Sequence, residues 1–169
     1  MIDIICFEGD KFNLGFSEVL NCKNFKIVEG SKDNRKIVEN KKIDILINPE
    51  KYSRNDSLHY RNSGLDQISC KLANKNKIAI GFSFSQFLNS DNRSELLGRM
   101  IQNVRLCRKY KVKMVVASFA KNKYEMRDAK DLLAFCRVIG MNGKEANDAL
   151  NFKKKEEDIK EIWKKRFWL

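Results

Sequence analysis

Five short runs of apolar residues recur along the chain, at residues 2–7, 25–28, 43–47, 78–82 and 114–118. Several are apolar at nearly every position. A strand with one wet face alternates apolar and polar residues, whereas a continuous apolar run suits a strand covered on both faces, as in parallel sheets. Parallel strands need long crossovers, and stretches with helical spacing stand between these runs. Ser31 is placed to cap a helix over residues 32–40. Leu65, Ile68, Leu72 and Ala73 share one face of residues 65–74. Leu97, Met100, Ile101 and Val104 do so within residues 94–110, with Arg99, Arg105 and Lys109 off that face. Asp128 reads as the cap of a further helix, with Asp131 three residues on and Gly140 as its stop. A short helix follows over residues 143–150. This alternation predicts an α/β domain with a parallel sheet. Five strands are too few for an eight-stranded barrel, which leaves a short or incomplete barrel or an open sheet.

A chain of 169 residues is long enough to bury a core and is expected to form one domain. That domain is placed over residues 1–152. Residues 153–169, KKKEEDIKEIWKKRFWL, carry Ile159, Ile162, Trp163 and Phe167 as an apolar stripe among lysines. They are expected to form a basic amphipathic helix packed on the domain, the competing readings being a partner-binding or membrane-surface helix. Cys6, Cys22, Cys70, Cys107 and Cys136 form no CxxC pair, which argues against a zinc ribbon or a disulfide framework and for a reducing, cytoplasmic setting. Cys107 and Cys136 are expected in the core. There is no apolar run of membrane-spanning length and no signal peptide.

Charge is the second constraint. Lys and Arg number 34 against 22 carboxylates, for a net charge of +12. Residues 1–90 carry 14 basic and 11 acidic groups, residues 91–169 carry 20 and 11, and eight Lys or Arg stand between Glu95 and Glu125 without one carboxylate. A strand end and loop this basic suit a polyanion such as a phosphate backbone, and charge alone selects Lys121 and Lys123 as contacts. The polar, basic loop over residues 51–63 reads either as a disordered insertion or as an RNA contact. Catalytic chemistry is poorly supplied. His59 is the only histidine, so it would have to serve any triad or Cys-His pair, and a His-rich metal site is excluded. No GxxxxGK[ST] or GxGxxG cradle is present. Glu8, Glu29 and Glu50, near strand ends, read as isolated surface carboxylates. The chain looks built to bind and not to cut.

Four segments resemble the protein component 3 family of archaeal ribonuclease P, over roughly residues 26–150. They are IDILINPE, RNSGLDQISCKLANKNKIAIGFSF, the helix from Arg93 through Leu96 and Leu97 to Val112, and VVASFAKNKYEMRDAKDLLAFCRVIGM, in which Ser118, Ala120, Arg127, Asp131, Leu132 and Gly140-Met141 fall on the family pattern. Gln67 stands where many members have His, Asn62 replaces an Asp, Ala129 a Pro and Phe119 a small residue. The N-terminal part is shorter than the family's, as if about two strand–helix units were missing. The resemblance implies a shortened TIM-barrel-like fold of about five or more strands. It implies a non-catalytic subunit of the ribonucleoprotein that removes the 5′ leader of precursor tRNA. In that assembly the RNA does the chemistry with Mg²⁺, and the protein binds the RNA and pairs with protein component 2 in a heterotetramer. By position it points to Arg61, Arg93, Lys109 and Arg127, and less directly to Arg35 and Lys36, as RNA contacts. The alternatives are a metal-dependent phosphoesterase or nuclease on a similar barrel, and a general basic RNA-binding module.

Overall fold

The structure is a computed structural model and describes residues 1–8, 12–52 and 55–153. The C-terminal helix expected over residues 153–169 lies, apart from Lys153, outside the described residues. Among the described residues six strands form the centre: β1 (Ile2–Ile5), β2 (Glu18–Asn21), β3 (Ile27–Glu29), β4 (Ile45–Ile47), β5 (Ala79–Ser83) and β6 (Met114–Ala117). β3, β4, β5 and β6 pair in that order, β1 pairs with β2, and every pair is parallel. Two backbone hydrogen bonds join these sheets just past β6. The Phe119 amide donates to the Ile4 carbonyl at 2.8 Å and the Cys6 amide to the Ala120 carbonyl at 2.7 Å. The strand array therefore runs β3-β4-β5-β6-β1-β2.

The strands are covered on both faces, as their continuous apolar runs require. One face sends Leu46, Ile80, Phe82 and Val116 under the helices, against Val38, Cys70, Met100, Val104, Leu132 and Cys136. The other sends Ile4, Ile45, Ala79, Val115 and Ala117 into a small inner cluster with Phe25 and Phe119. Leu20 of β2 and Ile27 of β3, from opposite edges of the array, border that same cluster. Only a sheet curled on itself brings its two edges to one cluster, so the fold is a TIM-barrel-like α/β domain. Among the described residues no ladder joins β2 to β3. The five residues between them, 22–26, are too few for a parallel crossover. They instead form a 3₁₀ turn, Cys22–Asn24, and drop Phe25 into the inner cluster, where its ring meets Phe152 at 6.0 Å.

The helices are α1 (Asn34–Glu39), α2 (Gln67–Asn76), α3 (Phe84–Leu88), α4 (Arg93–Lys109), α5 (Ala129–Val138) and α6 (Gly143–Ala149). Asp33, Asp66, Ser83, Asn92, Asp128 and Asn142 each accept a backbone amide of the first turn, the usual way of satisfying an N-terminus. Asp128 and Gly140 act as the sequence suggests, Gly140 adopting φ 89° just past α5. Cys107 and Cys136 are buried.

Two expectations are corrected and two elements are added. The cap of α1 is Asp33, not Ser31. The strand placed at residues 25–28 begins at Ile27, and Phe25 instead fills the inner cluster. β2, EVLN, was missed because it is a part-exposed edge with no apolar run. The Phe84–Leu88 turn continues straight from the apolar run of β5, so its start is masked in sequence.

Candidate nucleic-acid interface at the C-terminal ends of the strands

The loops leaving β3, β4, β5 and β6 gather at one end of the array and surround a cavity of about 440 Å³. Its wall includes Glu29, Asn48, Glu50, Lys51, Ser83, Arg99 and Lys121. This is the end at which β/α folds place their sites, because loop residues there can vary without disturbing the strands.

The long loop after β4 is the first structural feature of this end, and its described residues are braced against α1 and α4. Asn34 on α1 donates to the carbonyls of Pro49 at 2.7 Å and Gly64 at 2.9 Å. On α4, Gln102 donates to the Arg61 carbonyl at 2.7 Å and accepts from the Arg61 amide at 3.3 Å. Asn103 donates to the Ser63 carbonyl at 2.9 Å. Asp56 accepts from the Asn62 amide at 2.8 Å, the Arg99 Nε at 2.9 Å and the Arg61 Nη1 at 3.3 Å. Burial would raise the Asp56 pKa, but the Asn62 amide and the Arg99 and Arg61 charges hold it below the ordinary aspartate range. Gly64 must be glycine here: its φ is +77° and any Cβ would collide with the Pro49 carbonyl. Residues 55–63 thus form a braced platform on α4.

The loop after β6 is braced through Glu125. Its carboxylate accepts from Ser85 at 2.6 Å, the Lys121 amide at 2.8 Å, and Asn89 and Asn122 at 3.0 Å each. Burial works against the charged form, yet these donors hold the pKa below the ordinary glutamate value. One carboxylate therefore organises a loop that exposes Lys121 and Lys123.

The residues selected from sequence fall mostly on this end. Arg35 and Lys36 lie in the first turn of α1, Arg61 on the braced loop, Arg93 at the start of α4, and Lys121, Lys123 and Arg127 after β6. Lys109 does not join them. It closes α4 ahead of the N-terminal end of β6, its ammonium 5.6 Å from the Tyr110 ring. Several of the rest are already engaged. Arg35 pairs with Glu39 at 3.4 Å, Lys36 with Asp33 at 3.1 Å, and Arg93 donates to the Leu88 carbonyl at 2.8 Å. Arg61 lies over Gly98, where a Cβ would come within 2.6 Å of its Nε. Lys123 sits 5.2 Å from the Tyr124 ring. Arg127 is half-buried and largely structural: Nη1 donates to the carbonyls of Tyr124 at 2.9 Å and Met126 at 2.7 Å, and the guanidinium lies 5.7 Å from the Phe84 ring. Two of its donor bonds are thus spent on the loop's own carbonyls.

Two further expectations are overturned beneath the rim. Glu50 is not a surface carboxylate: it is 1% exposed, and its Oε2 accepts from Asn103 at 3.2 Å while Oε1 meets no donor among the described residues. Burial pushes its pKa up to about 7, against the pull of its own backbone amide, Asn103 and the Arg99 charge. Arg99 is not off the packed face of α4 but inside it, 9% exposed, bonded to Asp56 and, at 2.5 Å, to Glu95. The buried stripe of α4 is Leu96, Arg99, Met100, Asn103, Val104 and Cys107. Arg99 and Asn103 fall on its i, i+3, i+4 spacing, the one sequence signal for them, but an apolar-only stripe skips both. Of the other two carboxylates, Glu29 pairs with Lys51 at 2.9 Å, and Glu8 forms an exposed pair with Lys23.

The comparisons with known proteins agree with this architecture. The family model described as RNase P subunit p30 matches residues 12–156, and the chain belongs to that family. Ribonuclease P protein component 3 of Methanosarcina mazei is 36% identical over 129 residues, 74% of this chain and 51% of that protein. Its counterpart in Methanosarcina acetivorans is 33% identical over 154 residues, 89% of this chain and 61% of the other. A chain in the cryo-EM structure of archaeal ribonuclease P with mature tRNA superposes with a TM-score of 0.63 at 31% identity, covering 85% of this chain and 58% of that one. The chain thus spans between half and two thirds of these relatives' length.

Proposed function

We propose that this chain serves as a protein subunit of ribonuclease P, binding and supporting the RNA that removes the 5′ leader of precursor tRNA. Membership of the RNase P subunit p30 family carries this reading. The structure supports it by gathering Arg35, Lys36, Arg61, Arg93, Lys121, Lys123 and Arg127 at one end of the strands, on the first turns of α1 and α4 and on loops braced by Asp56 and Glu125. A fixed array of cations lowers phosphate–phosphate repulsion without an ordering cost at binding, so it favours one folded form of an RNA. In this reading Mg²⁺ serves the RNA and the protein contributes no catalytic group. His59, the one histidine of the sequence, sits on an exposed bend. Protein component 2 is the proposed protein partner, in a heterotetramer, and the cytoplasm the proposed setting.

Purification of the protein from its host with sequencing of the bound RNA tests the central claim. Enrichment of the ribonuclease P RNA is expected, and recovery of unrelated RNAs in proportion to their abundance would refute it. Incubated alone with precursor tRNA and Mg²⁺, the protein should leave the substrate intact. Metal-dependent cleavage lost on a Glu29 or Glu50 substitution would favour the nuclease alternative. Mixed with component 2, it should elute as one larger species at micromolar concentration.

A further inference from the structure

Beside the mouth cavity lies a second, separate groove of about 400 Å³ between the start of α1 and the loop after β4, within the roughly 300–1,000 Å³ typical of small-ligand sites. Lys32, Arg35, Tyr60 and Arg61 line it, with Asn62 and Gly64. Tyr60 is 63% exposed, and its neighbour Leu58 is 93% exposed at the tip of the same turn. Large side chains this exposed are held out by the backbone here. The Ser57 amide donates to the Tyr60 carbonyl at 3.0 Å and the Ser57 hydroxyl accepts from the Tyr60 amide at 3.2 Å, which closes the turn. Asp56 and Gln102 then fix it to α4.

The carboxylates that border the groove are already spent on the fold. Asp33 caps α1 and pairs with Lys36, and Asp66 caps α2 through the Ser69 amide at 2.6 Å. The cations are differently placed. Arg35 and Arg61 are about half exposed, and their ion pairs with Glu39 and Asp56 stand at 3.4 and 3.3 Å. Such exposed pairs exchange readily for a phosphate.

We propose that this groove holds one unpaired nucleotide of an RNA, its base stacked on Tyr60 and its phosphate met by Lys32, Arg35 and Arg61. The inference rests on the RNA-binding reading above and adds to it a preference for single strands. A paired base keeps its faces inside its own helix, so only an unstacked base can use an exposed tyrosine ring. The three cations that line the same groove favour nucleic acid over an apolar protein surface as the occupant.

The test compares the full-length parent with Tyr60→Ala and Tyr60→Trp. Two probes are used: a short single-stranded oligoribonucleotide carrying one 2-aminopurine, and a duplex of the same length. The turn bonds of Tyr60 are backbone bonds, so alanine should keep the fold, and circular dichroism checks this. Tyr60→Ala should weaken single-strand binding about ten-fold and abolish the quenching of 2-aminopurine, while Tyr60→Trp retains both. Duplex binding should not change. Equal losses on both probes, or none on either, would overturn the stack. So would a Tyr60→Ala variant that binds RNA normally but no longer co-elutes with a protein partner, which would make the groove a protein-docking face. If the parent binds ribonuclease P RNA and Tyr60→Ala binds it equally well, the groove fails and the subunit reading stands. A parent that binds no RNA overturns both.

Discussion

The two ends of this barrel are both basic but are built differently. At the C-terminal ends of the strands the cations alternate with Asp56, Glu95 and Glu125, and the loops are cross-braced to α4 and α3. At the other end Lys109 closes α4, Lys111 and Lys113 follow it, and Arg108 pairs with Glu145 and donates to the Gly140 carbonyl at 2.7 Å. That end is closed on the inside by Phe25 and Phe152. Charge alone does not separate the two. What separates them is that one end carries polar groups buried beneath its rim and the other carries an apolar plug. A surface that must hold a partner in one geometry needs its side chains fixed in advance, and only the first end meets that requirement.

The sharpest way to break this contrast is to remove a brace at each end. Asp3 is fully buried just below the mouth. It accepts from the Ser118 amide at 2.6 Å, the Ser118 hydroxyl at 2.7 Å and the Ile4 amide at 2.9 Å, tying β1 to the end of β6. Asp3→Ala strands these donors and should cost about 3 kcal/mol in urea denaturation. Arg108→Ala breaks a half-exposed pair at the other end and should cost no more than about 1 kcal/mol. Equal losses would mean that the two ends are braced alike.

Glu50 gives a comparison in pH. Its folded pKa is about 7 against an ordinary value of 4.5, so between those values the native state keeps a proton that the unfolded chain has released. The group's contribution is most favourable below pH 4.5, falls as pH rises through 7, and is constant beyond. The whole loss is on the order of 3 kcal/mol, at about 1.36 kcal/mol per unit. Asp3, also raised by burial, adds a slope of the same sign, so the informative quantity is the difference from Glu50→Gln. That variant should match the parent near pH 5 and be the more stable at pH 8. If the parent is the more stable at pH 8, ionised Glu50 is stabilised by Arg99 more than burial penalises it.

These buried groups also mark where sequence reading stopped. The continuous apolar runs gave parallel strands and the helical spacing gave α4 to within one residue and α2 to within two at each end, because each depends on local periodicity that burial enforces. β2 was silent because a part-exposed edge strand of four residues needs no periodicity. Basic residues of the rim were legible as a charge excess in the second half of the chain. Their braces were not, since Asp56 meets Arg99 from 43 residues away and a single sequence records no such pairing. Glu50 looked like a surface carboxylate for the same reason: nothing beside it in sequence announces Asn103.

A smaller effect is expected at Gly98. An alanine there would displace the Arg61 guanidinium, which lies across the helix at that point. Alanine gains up to about 1 kcal/mol of helix propensity over glycine, which offsets the loss of the exposed Arg61–Asp56 pair. Stability should therefore change little while RNA affinity falls about three-fold, as measured by filter binding. Unchanged affinity would place Arg61 outside the contact surface and leave its role as a brace on the loop.

The smallest signal is also the most direct measure of which end faces the RNA. Lys121 is exposed at the mouth and Lys109 is exposed at the opposite end, and each is one positive charge at a position where alanine should leave the fold intact. A lysine that neutralises a phosphate releases a counterion, so its loss flattens the plot of log affinity against log salt by roughly 0.7 to 0.9 units, whatever the bases nearby. Lys121→Ala should show that change, and Lys109→Ala should keep the parent slope. At a single salt concentration the two variants could differ by too little to interpret, and a salt series removes the ambiguity because the slope counts contacts. Should Lys109→Ala flatten the slope as much as Lys121→Ala, the RNA would have to reach from one end of the barrel to the other along α4. The exposed Arg105 on that helix would then be the next residue to replace.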